Sequence, residues 1–324
     1  MQATFVQRGA AMLLALNAAS AVAQNYPTRP IRLVVPFPAG GTADVIARSV
    51  ANEVGAQLGV SFVVDNRGGA NGIIGTNIVA ESAPDGHTLL HTTAAFVINP
   101  SIYLKLPYDP LRDFDAVTNL VLGTGYLLVL NPAVPAASVK DLIALARAGS
   151  VSYSSPGVGN TLHLAAELFA TRAGVKLLHV PYKGVAPALN AVLAGEVQMT
   201  MIPPTIAVQQ IKAGRARAIA FTGSSRFAGL PQLPTMSEAG VANLELTGGW
   251  HGWFAPAKMP PRVVLRLQQE VARALQVPKV REMIVTGGYE PDGRSAAEFT
   301  RFLRAEHVRY AEMVRVANVP KAAQ

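Results

Sequence analysis

The stretch that decides the fold spans residues 31–44 and reads Ile31-Arg32-Leu33-Val34-Val35-Pro36-Phe37-Pro38-Ala39-Gly40-Gly41-Thr42-Ala43-Asp44. It begins with a short apolar run, which is typical of a strand buried on both faces. Two prolines then end the strand, because they fix φ and lack a backbone N–H. Two glycines leave the next backbone bare, and Thr42 is a candidate N-cap for a helix that carries Asp44 in its first turn. Such a helix start is a ready site for an anion.

The first 23 residues have the pattern of a secretory signal peptide. One basic residue, Arg8, precedes an apolar run over residues 9–19 that is too short to span a bilayer. Ala21-Val22-Ala23 supplies a cleavage site, which predicts a mature chain that starts at Gln24. No later segment has enough unbroken apolar residues for a membrane helix. We therefore expect a periplasmic protein without membrane insertion. The absence of cysteine excludes a lipoprotein anchor and disulfides.

Charge and histidine spacing exclude two other kinds of site. The formal charge is +8, but the basic residues are scattered and few aromatic residues lie near them, so we expect no nucleic-acid surface. The mild positive field favours an anionic small ligand. His87 and His91 stand on or beside a predicted strand, where four residues span about 13 Å at ~3.3 Å per residue. That distance is too long for one shared metal ion, and we expect no metal and no cofactor.

The pattern of strand, glycine loop and helix start recurs along the chain. In the first half, strand patterns over residues 62–64 and 88–93 flank a second predicted helix. In the second half, residues 151–161 repeat the opening motif and residues 177–184 repeat it again. Each half therefore contains a β-α-β-α-β unit, and ligands of such parallel sheets bind beyond the carboxyl ends of the strands. The sequence predicts two doubly wound α/β domains with a binding cleft between them.

Eight motifs then give the chain a family resemblance. They read Tyr26-Pro27-Thr28-Arg29-Pro30-Ile31, Val35-Pro36-Phe37-Pro38-Ala39-Gly40-Gly41-Thr42-Ala43-Asp44, Asn66-Arg67-Gly68-Gly69-Ala70-Asn71-Gly72-Ile73-Ile74-Gly75, Ala83-Pro84-Asp85-Gly86, Ile98-Asn99-Pro100, Leu106-Pro107-Tyr108-Asp109-Pro110, Val180-Pro181-Tyr182-Lys183-Gly184 and Ile211-Lys212-Ala213-Gly214. With these motifs the mature chain resembles the periplasmic solute receptors of tripartite tricarboxylate transporters, the Bug or TctC-type proteins.

The resemblance implies a type II-like, two-domain Venus-flytrap receptor that closes on a small organic acid and passes it to membrane transporter subunits. It implies that the ligand carboxylate sits on the loops at residues 37–42 and 155–161. The chain departs from the family pattern at two places. Many members carry an acidic residue where this chain has Ile202 before Pro203-Pro204, and the loop over residues 157–160 has its own sequence. Both departures concern the far end of the ligand.

We expect the first domain to comprise residues 24–125 and 230–324, and the second to comprise residues 126–229. Gly41 and Gly157 are expected to let the backbone approach the carboxylate from opposite domains. Tyr182 and Lys183 stand at a strand end beside the cleft, and Trp250 begins a strand that returns to the first domain. The predicted ligand contacts are Phe37, Ala39, Gly40, Gly41, Thr42, Asn71, Thr92, Ser155, Gly157, Asn160, Thr161, Tyr182, Lys183 and Trp250.

Enzyme motifs are missing from the sequence. It contains no G-x-S-x-G elbow, H-E-x-x-H, Walker A motif or cysteine nucleophile. Ser155 and His163 are both present, but no third triad member is placed, and His163 is expected to support a helix start. We therefore expect no catalytic residues and a monomeric receptor. The alternatives are a receptor that signals to a sensor kinase and an exported α/β hydrolase or isomerase.

Overall fold

The computed structural model describes residues 26–319 and 321, so the predicted signal peptide, residues 1–23, lies outside the described residues. The eleven strands described are β1 Ile31–Val35, β2 Phe62–Asn66, β3 Thr88–Thr93, β4 Phe114–Gly123, β5 Leu127–Leu130, β6 Val151–Ser155, β7 Leu177–Pro181, β8 Met199–Ile202, β9 Arg217–Phe221, β10 Trp250–Pro256 and β11 Tyr289–Pro291. The ten α-helices described are α1 Thr42–Leu58, α2 Ile73–Ala80, α3 Ala95–Ile102, α4 Val139–Ala148, α5 Thr161–Ala173, α6 Val185–Ala194, α7 Pro204–Lys212, α8 Pro261–Ala274, α9 Pro278–Thr286 and α10 Ala296–Val316.

The first sheet has six strands in the order β11-β4-β10-β3-β1-β2. Strand β1 lies between β2 and β3 and runs parallel to both, because helical crossovers connect the three strands. Strand β10 is antiparallel and lies between β3 and β4. Within β1, Leu33, Val34 and Val35 are fully buried, as the continuous apolar run predicts.

The second sheet has five strands in the order β7-β6-β8-β5-β9. Strand β6 lies between β7 and β8 and is parallel to both, which is the arrangement that β1 has in the first sheet. Strand β5 is antiparallel to its neighbours β8 and β9. Each sheet thus contains the predicted β-α-β-α-β unit, and the predicted fold class, with two doubly wound α/β domains, is confirmed.

The chain passes between the sheets at two neighbouring crossings. The first joins β4 to β5, and the second precedes β10 at residues 247–249. The two crossings are hydrogen-bonded to each other, since the N–H of Gly123 donates to the carbonyl of Gly249 over 2.7 Å. We propose that this pair of segments acts as the hinge between the sheets.

The return to the first sheet comes later than the expected boundary at residue 230. Phe227, Leu230 and Leu233 pack into the core of the second sheet with strands β5, β8 and β9. Thr235 also forms a parallel bridge with Phe221 of β9. We therefore propose that the second domain extends to the crossing at residues 247–249.

Side-chain packing follows the period-two alternation expected for β10. Trp250 packs against Phe299 and Phe302 of α10, whereas Trp253 stacks on Phe62 in a separate hydrophobic cluster. Two helices begin with capping boxes, built by Ser138 with Asp141 and by Ser295 with Glu298. None of the helices within residues 26–319 has the length and apolar character needed to cross a membrane.

Candidate functional site

A cavity of about 50 Å³ lies between the two sheets, at the carboxyl ends of β1 and β6. A buried water needs roughly 10–15 Å³ of such space. The cavity therefore has room for a carboxylate and the first carbons attached to it. Its wall consists of Phe37, Pro38, Ala39, Gly41, Thr42, Ala43, Thr93, Tyr126, Pro156, Asn160, Thr161, Leu162, Gly184, Val185, Ala186, Pro203, Gly249, Trp250, His251 and Tyr289.

The start of α1 forms the wall on the side of the first sheet. Gly41 is the N-cap, with φ −83° and ψ 170°, and Thr42 is the first helical residue. The prediction that Thr42 is the N-cap is therefore wrong. Its side chain does not turn back to cap the helix, because Thr42 already has helical geometry. The Thr42 hydroxyl is instead buried without a hydrogen-bond partner among the described residues, although the residue lines the cavity.

The starts of α5 and α6 form the opposite wall. Asn160 caps α5 by accepting the N–H of Leu162 over 3.0 Å, and His163 accepts the N–H of Gly159 over 3.1 Å. The expected support of the helix start by His163 is thus confirmed. Helix α6 begins after Gly184, whose φ of 126° suits a residue without Cβ.

The wall offers dipoles rather than side-chain charges. Helices α1, α5 and α6 each contribute their first two residues, and backbone N–H groups at these positions have no acceptor within the helix. Helix dipoles place partial positive charge at the same ends. Within the part of the chain that the structure describes, the wall contains no Asp, Glu, Lys or Arg. The arrangement therefore suits an anion that is held by hydrogen bonds.

Asp44, an acidic residue in the first turn of α1, directs its side chain to partners outside the cavity wall. The Asp44 carboxylate accepts the N–H of Gly40 over 3.0 Å and hydrogen bonds from Arg48 and Asn66. Burial alone would raise the pKa of Asp44, but these hydrogen bonds and the Arg48 charge lower it below the usual value. Asp44 thus fixes the loop over residues 37–41, and its charge is matched by Arg48.

Loops from the two sheets touch each other beside the cavity. A Cβ added to Gly184 would come within 2.9 Å of Cγ of Pro38, across the cleft. A Cβ added to Gly159 would come within 2.8 Å of the side chain of Ile102 in α3. Glycine at both positions permits this close approach.

Seven of the fourteen predicted ligand contacts line the cavity, namely Phe37, Ala39, Gly41, Thr42, Asn160, Thr161 and Trp250. Trp250 is 1% exposed, and its indole N–H donates to Glu306 over 3.1 Å. The indole N–H is therefore engaged by α10. Direct contact with a ligand stays a prediction for all fourteen residues.

The structure places the other seven outside the wall, and polar groups of several of them are hydrogen-bonded elsewhere. The N–H of Gly40 is bound by Asp44, the Asn71 amide by Asn99, and the Tyr182 hydroxyl by Glu196. Thr92 is buried next to the wall residue Thr93 in the sequence of β3, and Lys183 is exposed to solvent.

Gly157 and Ser155 complete this group. Gly157 has φ 137°, a backbone conformation that residues with a side chain rarely adopt. Glycine is therefore needed here for the conformation of the loop. The Ser155 hydroxyl accepts the N–H of Gly157 over 3.2 Å and also lies 2.6 Å from Nε2 of His179. The expected symmetry between Gly41 and Gly157 is therefore absent from the wall.

The contact between Ser155 and His179 is a serine–histidine pair that sequence reasoning missed, because it considered His163 as the partner. His179 stands on β7, directly beside β6 in the sheet. Burial lowers the pKa of His179 to about 4, so the ring is neutral at neutral pH. Ser155 is fully buried and does not reach the cavity wall, which gives the pair a structural role in the loop.

Four wall residues at the hinge were also missed, namely Tyr126, Gly249, His251 and Tyr289. The Tyr126 hydroxyl accepts the N–H of Gly249 over 2.6 Å, which joins the two crossings behind the cavity. Only Gly248-Gly249, which precede the returning strand, marked this place in the sequence. The pairing that brings Tyr126 and Tyr289 to the same wall is long-range and has no local signal.

Replacing Thr42 by valine should weaken binding of an organic acid by about 1–3 kcal/mol, because a hydroxyl that meets a charged oxygen is lost. The same change should leave the ligand-free protein as stable as the wild type or slightly more stable, since a buried unpartnered hydroxyl disappears. Calorimetric titration and thermal unfolding measure the two effects. Thr88→Val is the matched control, because Thr88 does not line the cavity and stands at the opposite end of β3 from the wall residue Thr93. Equal binding by Thr42→Val and the wild type would remove Thr42 from the site.

Comparisons with known proteins agree with this architecture. The model of the tripartite tricarboxylate transporter family receptor, TctC, matches residues 46–319. The UPF0065 protein in the tcbD-tcbE intergenic region of Pseudomonas sp. is 38% identical over 315 residues, covering 94% of this chain and 92% of that protein. BugT of Bordetella pertussis is 35% identical over 302 residues, covering 92% of each chain.

Solved structures give the same result. A protein of R. palustris, determined with adipate, superposes with a TM-score of 0.88 at 34% identity, covering 92% of this chain and 100% of the other. The periplasmic binding protein BugD gives a TM-score of 0.86 at 35% identity, with 92% and 100% coverage. MatC from Rhodopseudomonas palustris, with bound malate, gives 0.82 at 28% identity, with 89% and 100% coverage. These matches and the two-sheet cleft show that the chain belongs to the TctC/Bug family of periplasmic solute-binding receptors.

Proposed function

We propose that this protein captures a small organic carboxylate in the cleft between its two sheets and delivers it to a tripartite tricarboxylate-type membrane transporter. The proposal places the mature protein, from Gln24 onward, in the periplasm as a monomer. It assigns the carboxylate to the starts of α1 and α5, with α6 completing the wall.

One observation carries the proposal. Three helix starts converge on a cavity whose wall has no charged side chain, and the buried Thr42 hydroxyl there has no partner among the described residues. An anion with two acceptor oxygens satisfies this hydroxyl together with those N–H groups of the helix starts that have no other acceptor. The proteins determined with adipate and malate support a carboxylate as the anion.

The energetics agree with a receptor that must also release its ligand. A hydrogen bond to a charged group contributes roughly 1.5–3 kcal/mol. Four such bonds, reduced by the cost of ordering the ligand and closing the cleft, support a micromolar Kd, which corresponds to about −8 kcal/mol. No metal or organic cofactor is needed for this chemistry.

A thermal-shift screen of organic acids on the mature protein tests the proposal. An acid present at about 100 times its Kd should stabilise the folded protein by about 2.7 kcal/mol. The panel should include adipate and malate, with matched amines and alcohols as controls. If no carboxylate raises the unfolding temperature more than these controls do, the proposed function is wrong.

We further propose that the protein has no catalytic activity and expect no turnover of a bound acid. The pair of Ser155 and His179 does not reach a ligand in the cavity, because Ser155 is fully buried and outside the cavity wall. The test incubates each binding acid and its methyl ester with stoichiometric protein for hours and assays the products. Ser155→Ala is the control variant. Conversion of more than one equivalent by the wild type, lost in Ser155→Ala, would show that the protein is an enzyme.

A further inference from the structure

A hydrogen-bond network of three side-chain rings connects the core of the first sheet to the cavity. The indole N–H of Trp253 donates to Nδ1 of His91 over 3.2 Å. Nε2 of His91 lies 3.2 Å from Nδ1 of His251. All three side chains are buried, and of the three only His251 belongs to the cavity wall. The strands bring them together, because Trp253 pairs with His91 and His251 pairs with Thr93 in the antiparallel register of β10 and β3.

This hydrogen-bond network determines which ring nitrogens of the two histidines carry a proton. An indole can only donate, so Nδ1 of His91 must be the acceptor and carries no proton. The neutral His91 ring therefore carries its proton on Nε2 and donates it to Nδ1 of His251. Nδ1 of His251 is then unprotonated, and the neutral ring presents an N–H at Nε2. Among the described residues, no protein acceptor is bound to this second nitrogen of His251.

Burial keeps both histidines neutral. Burial, and then the neighbouring His251, hold the pKa of His91 well below its usual value. Burial lowers the pKa of His251 to about 3. The Tyr289 ring packs edge-on against His251 at 5.4 Å between centroids, and burial raises the pKa of the Tyr289 hydroxyl. Among the described residues, no carboxylate lines the cavity wall to compensate a charge on His251.

We propose that His251 is a specificity-determining residue, whose Nε2–H donates to an acceptor on the body of the bound organic acid. Trp253 and His91 are positioning residues that fix its tautomer. The inference rests on the proposed function, because it concerns a second contact of the same ligand. The ligand class is an organic acid that carries a further acceptor, such as an oxo group or a second carboxylate.

The same geometry rejects amino acids. An ammonium group has three donors and no acceptor, so it leaves the N–H of His251 unpaired. It also finds no acidic side chain in the wall, where Pro203 follows Ile202 at the end of β8. A site built to donate a hydrogen bond discriminates strongly against ligands that leave its donor unpaired. Acids should therefore rank with oxo and dicarboxylic forms first, unsubstituted forms next and amino forms last.

The test measures binding of pentanoate and hexanoate, and of the oxo, amino and terminal-carboxylate derivatives of each. For the wild type we expect at least one acceptor-bearing derivative to bind about tenfold or more tightly than its unsubstituted parent. His251→Phe keeps a ring without the donor and should remove this preference. His251→Gln, which places an amide N–H near the former Nε2, should restore part of it.

Nitrogen-15 NMR of histidine-labelled wild-type protein gives a second measurement that needs no variant. We expect His251 protonated at Nε2 and unprotonated at Nδ1, with the Nε2 signal shifted by the acceptor-bearing acids. Trp253→Phe should shift the ring towards a mixture of tautomers. The opposite tautomer in the wild type, or the same preference among acids in folded His251→Phe, would overturn this inference alone. Failure of every acid to bind the wild type would overturn the proposed function together with it.

Discussion

Gly41→Val is expected to abolish binding of organic acids, raising the Kd at least about 100-fold, while the protein remains folded. The backbone permits the change, because Gly41 has φ −83° and an added Cβ would meet only the carbonyl of Pro38, at 3.6 Å. The valine side chain would occupy the cavity at the N-terminus of α1, where we place the carboxylate. Calorimetric titration with the acid that gives the largest thermal shift measures the loss.

A matched substitution separates this effect from the general cost of valine. Gly149→Val is this control. Gly149 follows α4 and does not line the cavity, and an added Cβ there would meet no atom within 4 Å. It should bind as the wild type does. Loss of a glycine N-cap should lower the stability of Gly41→Val by only about 1 kcal/mol, measured by thermal unfolding. Small-angle X-ray scattering should show that ligand compacts the wild type and Gly149→Val but leaves Gly41→Val unchanged. Wild-type affinity in folded Gly41→Val would contradict the carboxylate position.

Gly123→Ala is expected to be the most destabilising small change at the hinge, at about 3 kcal/mol. An added Cβ would lie 2.6 Å from Cα of Gly248 and 2.8 Å from the carbonyl oxygen of Gly249. These are backbone atoms of the other crossing, so no side chain can move aside. The clash should also lengthen the 2.7 Å hydrogen bond that joins the crossings. Thermal unfolding measures the loss, and Gly149→Ala is the control, expected to be neutral or slightly stabilising. An unchanged unfolding temperature in Gly123→Ala would show that the crossings can separate without cost.

Much of the fold could be predicted because its repeated unit is local in sequence. The apolar run of β1, the Pro/Gly loop and the start of α1 are contiguous, and residues 151–161 repeat the pattern. Such units confine the topology to a parallel core of three strands with helical crossovers. Both sheets contain that core, as β2-β1-β3 and as β7-β6-β8.

The antiparallel strands were harder to predict, because their partners are distant in sequence. Strand β10 inserts between β3 and β4 more than a hundred residues after either of them. Strand β4 and helix α3 were not predicted at all, since their residues carry neither a glycine loop nor clean amphipathic spacing. The same long-range pairing explains why His91 and His251 were not recognised as neighbours.

For the site, the sequence predicted the loops better than the individual side chains. Residues of both glycine loops lie in the cavity wall, because a parallel sheet places them at its carboxyl edge. Which atoms of a loop face the cavity depends on its internal hydrogen bonds. Asp44 binds the N–H of Gly40, and His179 binds the Ser155 hydroxyl. Gly40 and Ser155 therefore stabilise the loops and do not line the cavity.

A crystal structure of the mature protein with its tightest-binding organic acid tests the central claim most directly. We expect a carboxylate oxygen within about 3 Å of the Thr42 hydroxyl, with the same carboxylate receiving backbone N–H groups from the starts of α1 and α5. The body of the acid should extend towards the hinge. A carboxylate bound outside this cleft, or bound within it by a Lys or Arg side chain while the Thr42 hydroxyl stays unpaired, would contradict the account.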